Sequence, residues 1–141
     1  YFAAMSFVAN DATSNDNIDI NTAASEFYSN FPGNEDVMVL VGSGAQMPWV
    51  NDHFYNIRRR AQGFCIMEMG MIVINIDWWE NETNVWHKRK VLFHEFGHCA
   101  LGLHHPEDSR KKSIMNIDIN LANSQEEWNL YLKKLKAKVA Q

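Results

Sequence analysis

Residues 94–105 of the 141-residue chain read HEFGHCALGLHH, and Met115 follows ten positions after the last histidine. Residues four apart lie on one face of a helix, so His94 and His98 can bind one ion from the same side. Glu95 projects about 100° round the helix from His94 and reaches a metal-bound water without becoming a ligand. Zinc lowers the pKa of such a water to about 7. The stretch therefore predicts a zinc site with Glu95 as general base.

The segment resembles the metzincin group of zinc peptidases, whose pattern is H-E-x-x-H-x-x-G-x-x-H followed by a methionine turn. Six residues occupy the matching positions: His94, Glu95, His98, Gly102, His105 and Met115. It also resembles small secreted bacterial metallopeptidases that carry an insertion in this motif. The motifs, with the preceding strand, cover about a third of the chain. The departure from the strict pattern is one extra residue between His98 and the glycine.

The extra residue bears on the identity of the third metal ligand. One more helical residue rotates the exit of the chain by about 100°. Adjacent residues of an extended segment point in opposite directions, so His104 and His105 cannot easily both bind one ion. We favour His105 because it keeps the spacing from Gly102. His104 keeps the total count from His94 and is the alternative.

The resemblance implies an α+β fold of the zincin or metzincin type, with a small mixed twisted sheet, an active-site helix and a C-terminal helix. Residues 1–20 would be an extended lead-in and residues 21–141 a single catalytic domain. The implied function is a zinc-dependent endopeptidase that is a monomer and is secreted or periplasmic. Ile117 stands where the group often has a tyrosine, so the residue that stabilises the oxyanion is not identified.

The remaining helices and strands are predicted from the spacing of apolar residues and from turn and capping residues. Apolar runs predict strands at 37–41, 62–67 and 71–76, with a hairpin between the last two. Capping signals predict helices that begin near Thr22, near Thr83 or Asn84, and at Ser124. In the metzincin group the strand before the active-site helix pairs with an antiparallel edge strand that binds substrate. Residues 62–67 would therefore bind an extended peptide or protein substrate by main-chain hydrogen bonds.

Composition excludes several classes of function. The chain is 46% apolar and 12% aromatic, which is typical of a globular protein. Its net charge of −4 gives no reason to expect a nucleic-acid partner. No apolar run reaches 18 residues, so we expect no membrane partner. We interpret three basic clusters as solvated faces or loops: residues 58–60, 88–90 and 110–112.

Three alternatives stay open at this point. A downstream glutamate, Glu126 or Glu127, would replace the third histidine if the ligand came from a later helix. A non-catalytic binding module stabilised by zinc would explain the histidines but would leave Glu95 without a purpose. Cys65 and Cys99 form either one disulfide or two buried thiols.

The adjacent tryptophans at 78–79 are interpreted as packing residues rather than as substrate contacts.

Overall fold

A computed structural model of the chain describes residues 18–42, 62–108, 110–116 and 122–140. The architecture is α+β, as predicted at that level. Most of the lead-in, the basic cluster at 58–60 and the position of Ile117 lie outside the described residues. The elements in chain order are α1 (Ile20–Asn30), β1 (Met38–Gly42), β2 (Gly63–Ile66), a 3₁₀ turn (Met67–Met69), β3 (Met71–Asn75), α2 (Ile76–Asn81), α3 (Val85–Cys99) and α4 (Gln125–Val139).

The described sheet has three strands in the order β1-β3-β2. β3 is central, parallel to β1 and antiparallel to β2, and four of its five residues are buried. Its nearly continuous apolar sequence is what a strand covered on both faces requires. The predicted strands and hairpin are confirmed to within one or two residues. β2 lies at an edge of this sheet, as expected for residues 62–67.

Helix α1 begins two residues earlier than predicted. The Asp19 side chain accepts a hydrogen bond from the Thr22 backbone N–H at 2.7 Å and so caps the first turn. Ile18 and Ile20 are both 5% exposed. The polar composition of the preceding segment suggested a later start, but these two isoleucines anchor its end in the core.

A short separate helix, α2, precedes α3. The Asn75 side chain caps α2, and the Asn84 side chain caps α3 by accepting hydrogen bonds from two backbone N–H groups. The predicted start of a helix near Asn84 is confirmed. Trp79 is 4% exposed, which confirms its packing role.

An aromatic cluster holds α1, α3 and α4 together. The Phe27 ring stacks on Phe96 with ring centroids 4.1 Å apart and meets Phe93 edge-on at 5.3 Å. Phe93 in turn meets Trp128 of α4 edge-on at 5.1 Å. Such pairs add about 0.5–1.5 kcal/mol each beyond their buried area. This cluster fixes the rotation of α3 and therefore the face that α3 turns to the sheet.

Helix α4 packs against the core, and its start at Ser124 is confirmed. Ser124 caps it through the Glu127 backbone N–H, and its apolar face buries Trp128, Leu132 and Leu135. None of the helices in the described ranges is long and apolar enough to cross a membrane.

The interpretation of residues 88–90 as a solvated basic cluster is wrong. Lys88 is 1% exposed and Lys90 is 5% exposed. Three consecutive residues span about 200° of a helix, and α3 is covered by the sheet on one side and by α1 on another. A basic triplet on a helix enclosed in this way cannot lie wholly in solvent.

Candidate metal centre

Three histidine side chains converge on one point. The Nε2 atom of His94 lies 3.1 Å from that of His105 and 3.2 Å from that of His98. The third side of the triangle, from His98 to His105, is 3.0 Å. These three form the single group of potential metal ligands in the described part of the chain. The structure thus brings together the three histidines that the sequence analysis favoured.

Hydrogen bonds to backbone carbonyls orient two of the rings. His94 Nδ1 donates to the Ile114 oxygen at 2.9 Å, and His98 Nδ1 donates to the Leu103 oxygen at 2.7 Å. A neutral imidazole that donates from Nδ1 carries its lone pair on Nε2. Both lone pairs therefore point into the triangle, which is the arrangement typical of histidine ligands of metals.

The spacing fits a small tetrahedral cation. Ligand nitrogens 2.0–2.1 Å from zinc in ideal tetrahedral geometry are about 3.3–3.4 Å apart. The observed spacings of 3.0–3.2 Å are within a few tenths of an ångström of that value. Three nitrogen ligands leave a fourth position for water, as in catalytic rather than structural zinc sites. The donor set admits other imidazole-binding cations as well.

Burial keeps the innermost histidine neutral. Desolvation is the main cause that lowers the pKa of His94 to about 3, and the charges of His98, Lys90 and His105 act in the same direction. The hydrogen bond to Ile114 opposes these effects but does not offset them. Metals bind the neutral form of imidazole, so this environment favours a ligand over a charged surface histidine.

A widened last turn of α3 absorbs the extra residue of the motif. The Phe96 oxygen accepts from the Ala100 N–H at 2.7 Å and from the Leu101 N–H at 3.3 Å. The second of these is an i+5 bond, the pattern of a π turn. Gly102 then adopts φ +65° and reverses the chain. The reversal brings the Leu103 oxygen to His98 and the His105 ring to the triangle.

Met115 packs beneath the histidines. It is fully buried, and its sulfur lies so close to Gly97 that a Cβ at that position would overlap it. Gly97 is the residue of α3 before His98, and Ile114, which accepts from His94, directly precedes Met115. The turn at 113–116 thus contacts α3 at Gly97 and His94, directly beside the three histidines.

Glu95 and the edge strand form the walls of a cleft beside the triangle. The cleft has a volume of about 290 Å³. Its lining consists of Gln62, Gly63, Phe64, Cys65, Met67, Lys90, Val91, His94, Glu95, His98 and His105. Glu95 is 8% exposed and passes close to Gly63, where a Cβ would lie 3.5 Å from the Glu95 Cγ. The carboxylate and the three imidazoles therefore share one cavity.

A disulfide joins the two walls of this cleft. Cys65 of β2 is bonded to Cys99, the last residue of α3, and their Cα atoms are 5.7 Å apart. The bond resolves the alternatives left by the two cysteines, because both are used and neither is a metal ligand. It ties the predicted substrate strand to the residue next to His98.

The other candidates for the third ligand lie elsewhere. His104 is exposed and outside the metal-ligand group, and neither Glu126 nor Glu127 belongs to that group. Sequence reasoning missed the carbonyls of Leu103 and Ile114, which carry no side-chain signal, and it misjudged Lys90. The chain matches no protein-family model, no curated protein sequence and no solved structure.

Proposed function

We propose that the protein is a zinc-dependent endopeptidase with a metzincin-like fold. The observation that carries the proposal is the triangle of three Nε2 atoms, 3.0–3.2 Å apart, beside a buried glutamate in a cleft bounded by an edge strand. His94, His98 and His105 are the proposed zinc ligands. When bound there, zinc would supply Lewis acidity to a water molecule and to the scissile carbonyl.

Glu95 is the proposed general base. It is adjacent to His94 on α3 but projects about 100° away from it, so its carboxylate serves the reacting water rather than the metal. The carboxylate accepts a proton from the attacking water and returns it to the nitrogen of the leaving amine. Burial in the cleft strengthens the electrostatic interactions of the carboxylate with the water and with the leaving amine, because the local dielectric constant is low.

The substrate would bind as an additional strand beside β2. Among the described residues β2 pairs with β3 alone, and its residues Gly63, Phe64 and Cys65 line the cleft. A peptide backbone in this position satisfies its hydrogen bonds with the edge of the sheet. The cleft then presents the scissile bond to Glu95 and the histidines.

The proposed location is secreted or periplasmic. Disulfides persist in oxidising compartments and are rare in the reducing cytosol, and this chain uses both of its cysteines in one. The bond lies at the cleft rather than on a remote loop, so its loss would affect the proposed site.

The test uses the full chain, stripped of metal and reloaded with zinc. We expect one zinc ion per chain and cleavage of an unfolded protein and of a broad peptide library. Glu95→Gln should keep the zinc ion and lose about 10²–10⁴-fold in kcat. Glu80→Gln is the matched control because it removes an exposed carboxylate outside the cleft.

Two results would redirect the proposal. If the parent and Glu95→Gln are both zinc-loaded and equally inactive on the library, the non-catalytic zinc-stabilised module replaces the enzyme. If zinc is retained after His105→Ala but lost after Glu126→Ala, the downstream glutamate is the third ligand.

A further inference from the structure

An exposed methionine lies at the end of the edge strand. Met67 directly follows the last residue of β2 and is 58% exposed, and it lines the cleft that contains the three histidines. A single exposed apolar side chain is ordinary on a protein surface. In a cleft it is different, because a bound ligand can remove that side chain from water and so gain binding free energy.

Two contacts between β2 and α3 fix the direction of the cleft. A Cβ at Gly63 would lie 3.5 Å from the Glu95 Cγ. Two residues later in β2, Cys65 is bonded to Cys99. Two residues of a strand advance about 7 Å and four residues of a helix about 6 Å, so β2 and α3 run side by side in the same direction. Met67, two residues further along, therefore lies past the C-terminal end of α3.

A second methionine of the same turn provides a comparison. Met69 is 54% exposed and belongs to the same 3₁₀ turn, Met67–Met69, but it does not line the cleft. The two side chains are alike in residue type and in exposure, and they differ in their position relative to the cleft. A peptide bound beside β2 and along the cleft would therefore cover Met67 and leave Met69 in solvent.

We propose that Met67 determines specificity by packing against an apolar side chain of the peptide substrate, two to four residues from the cleaved bond. Met67 is about 7 Å along the chain from Cys65 and about 13 Å from Gly63, and an extended peptide advances by the same rise per residue. Methionine is unbranched and polarisable, so it adapts to apolar side chains of different shapes. The inference rests on the proposed function, because it assumes that a peptide binds beside β2.

The experiment compares matched peptides on the zinc-loaded full chain. The members of each pair carry Leu or Asn, which are similar in size, at one of the four positions on either side of the cleaved bond. We expect the unsubstituted protein to prefer Leu by about 10-fold in kcat/KM at a position two to four residues from the bond, mainly through KM. The side of the bond on which the preference occurs gives the direction of the peptide relative to β2.

Three variants assign the preference to Met67. Met67→Ala should reduce the ratio between paired peptides to about one, and Met67→Leu should keep most of it. Met69→Ala is the matched control: it removes a similarly exposed methionine of the same turn outside the cleft and should keep the ratio of the unsubstituted protein. Substitutions of exposed side chains change stability little, and zinc content and circular dichroism establish that each variant is folded.

Binding measured without turnover separates this inference from the proposed function. The dissociation constants of the same peptide pairs are measured on zinc-loaded Glu95→Gln by fluorescence anisotropy. A preference for Leu that Met67→Ala removes and Met69→Ala keeps supports the apolar contact even if no peptide is cleaved. Equal binding of both members of every pair, or a preference that survives Met67→Ala, overturns it.

Discussion

Helices α3 and α4 have the same length and the same kind of start, yet they bury different chemistry. Each has 15 residues and a side-chain N-cap, Asn84 or Ser124. Helix α4 buries three residues, all apolar. Helix α3 buries nine, four of them polar or charged: Lys88, Lys90, His94 and Glu95. The buried residues of α4 can be explained by packing alone, and those of α3 cannot.

The comparison shows that buried polar residues, rather than buried apolar ones, indicate where a functional site is located. Apolar burial stabilises a fold at about 25 cal/mol per Å², whereas burial of a charged group requires a specific partner. In α3 the partners that can be named are a tryptophan ring for Lys88 and a backbone carbonyl for His94. Of the four buried polar side chains of α3, Lys90, His94 and Glu95 line the candidate cleft and Lys88 does not.

Removing the main packing residue of α4 should have the largest effect. Trp128 is fully buried, and Trp128→Ala should lower the free energy of unfolding by about 3–5 kcal/mol. Denaturant unfolding measures the change. Leu130 is 61% exposed on the same helix, and Leu130→Ala should change stability by no more than about 0.5 kcal/mol. Similar losses for both variants would contradict a packing role confined to one face.

Zinc binding should stabilise the unsubstituted protein, because two of the three proposed ligands belong to α3. Zinc at one hundred times its dissociation constant should raise the free energy of unfolding by about 2.7 kcal/mol. His105→Ala should abolish this gain because it removes one of the three converging nitrogen atoms. The adjacent exposed residue supplies the control, since His104→Ala should retain it. Loss of the gain in His104→Ala alone would reverse the assignment of the third ligand.

A methyl group at Gly97 should test the contact beneath the site. Alanine is normally favoured over glycine in a helix by about 1 kcal/mol. Here the added Cβ would overlap the Met115 sulfur, so Gly97→Ala should instead destabilise the protein by about 1–3 kcal/mol. Thermal unfolding of the metal-free chain measures it. Combined with Met115→Ala the two changes should be less than additive, because the overlap is removed. Simple additivity would argue against the close contact.

Removal of the N-cap side chains should have the smallest effect on stability, and the effect should be similar for the two helices. Asn84→Ala and Ser124→Ala each remove side-chain hydrogen bonds to backbone N–H groups in the first helical turn. Each should cost about 1 kcal/mol of stability. Urea titration of both variants makes the comparison. A loss at Asn84 several times that at Ser124 would mean that the start of α3 also has a role beyond capping.

Local signals account for what could be predicted. Alternating and continuous apolar runs, a turn at Gly70 and caps at Asn84 and Ser124 each act within a few residues. They placed the strands, the hairpin and two helices to within a residue or two. The spacing of His94 and His98 is likewise a property of one helix, which is why the two rings could be assigned to one face.

What could not be predicted depends on elements distant in sequence. The burial of Lys88 and Lys90 depends on how α3 is enclosed by other elements. The disulfide requires β2 and the end of α3 to be neighbours, which no spacing between Cys65 and Cys99 encodes. The carbonyls that orient His94 and His98 belong to the backbone and leave no trace in residue type.

The i+5 turn at Phe96 has a consequence for how such sites are searched for. A pattern written as a count of residues treats one added residue as a mismatch. In space, the added residue lengthens one backbone hydrogen-bonded ring and leaves three nitrogen atoms 3.0–3.2 Å apart. A description by distances between side-chain nitrogens would therefore record three converging atoms here, whereas a description by residue spacing would record only the mismatch.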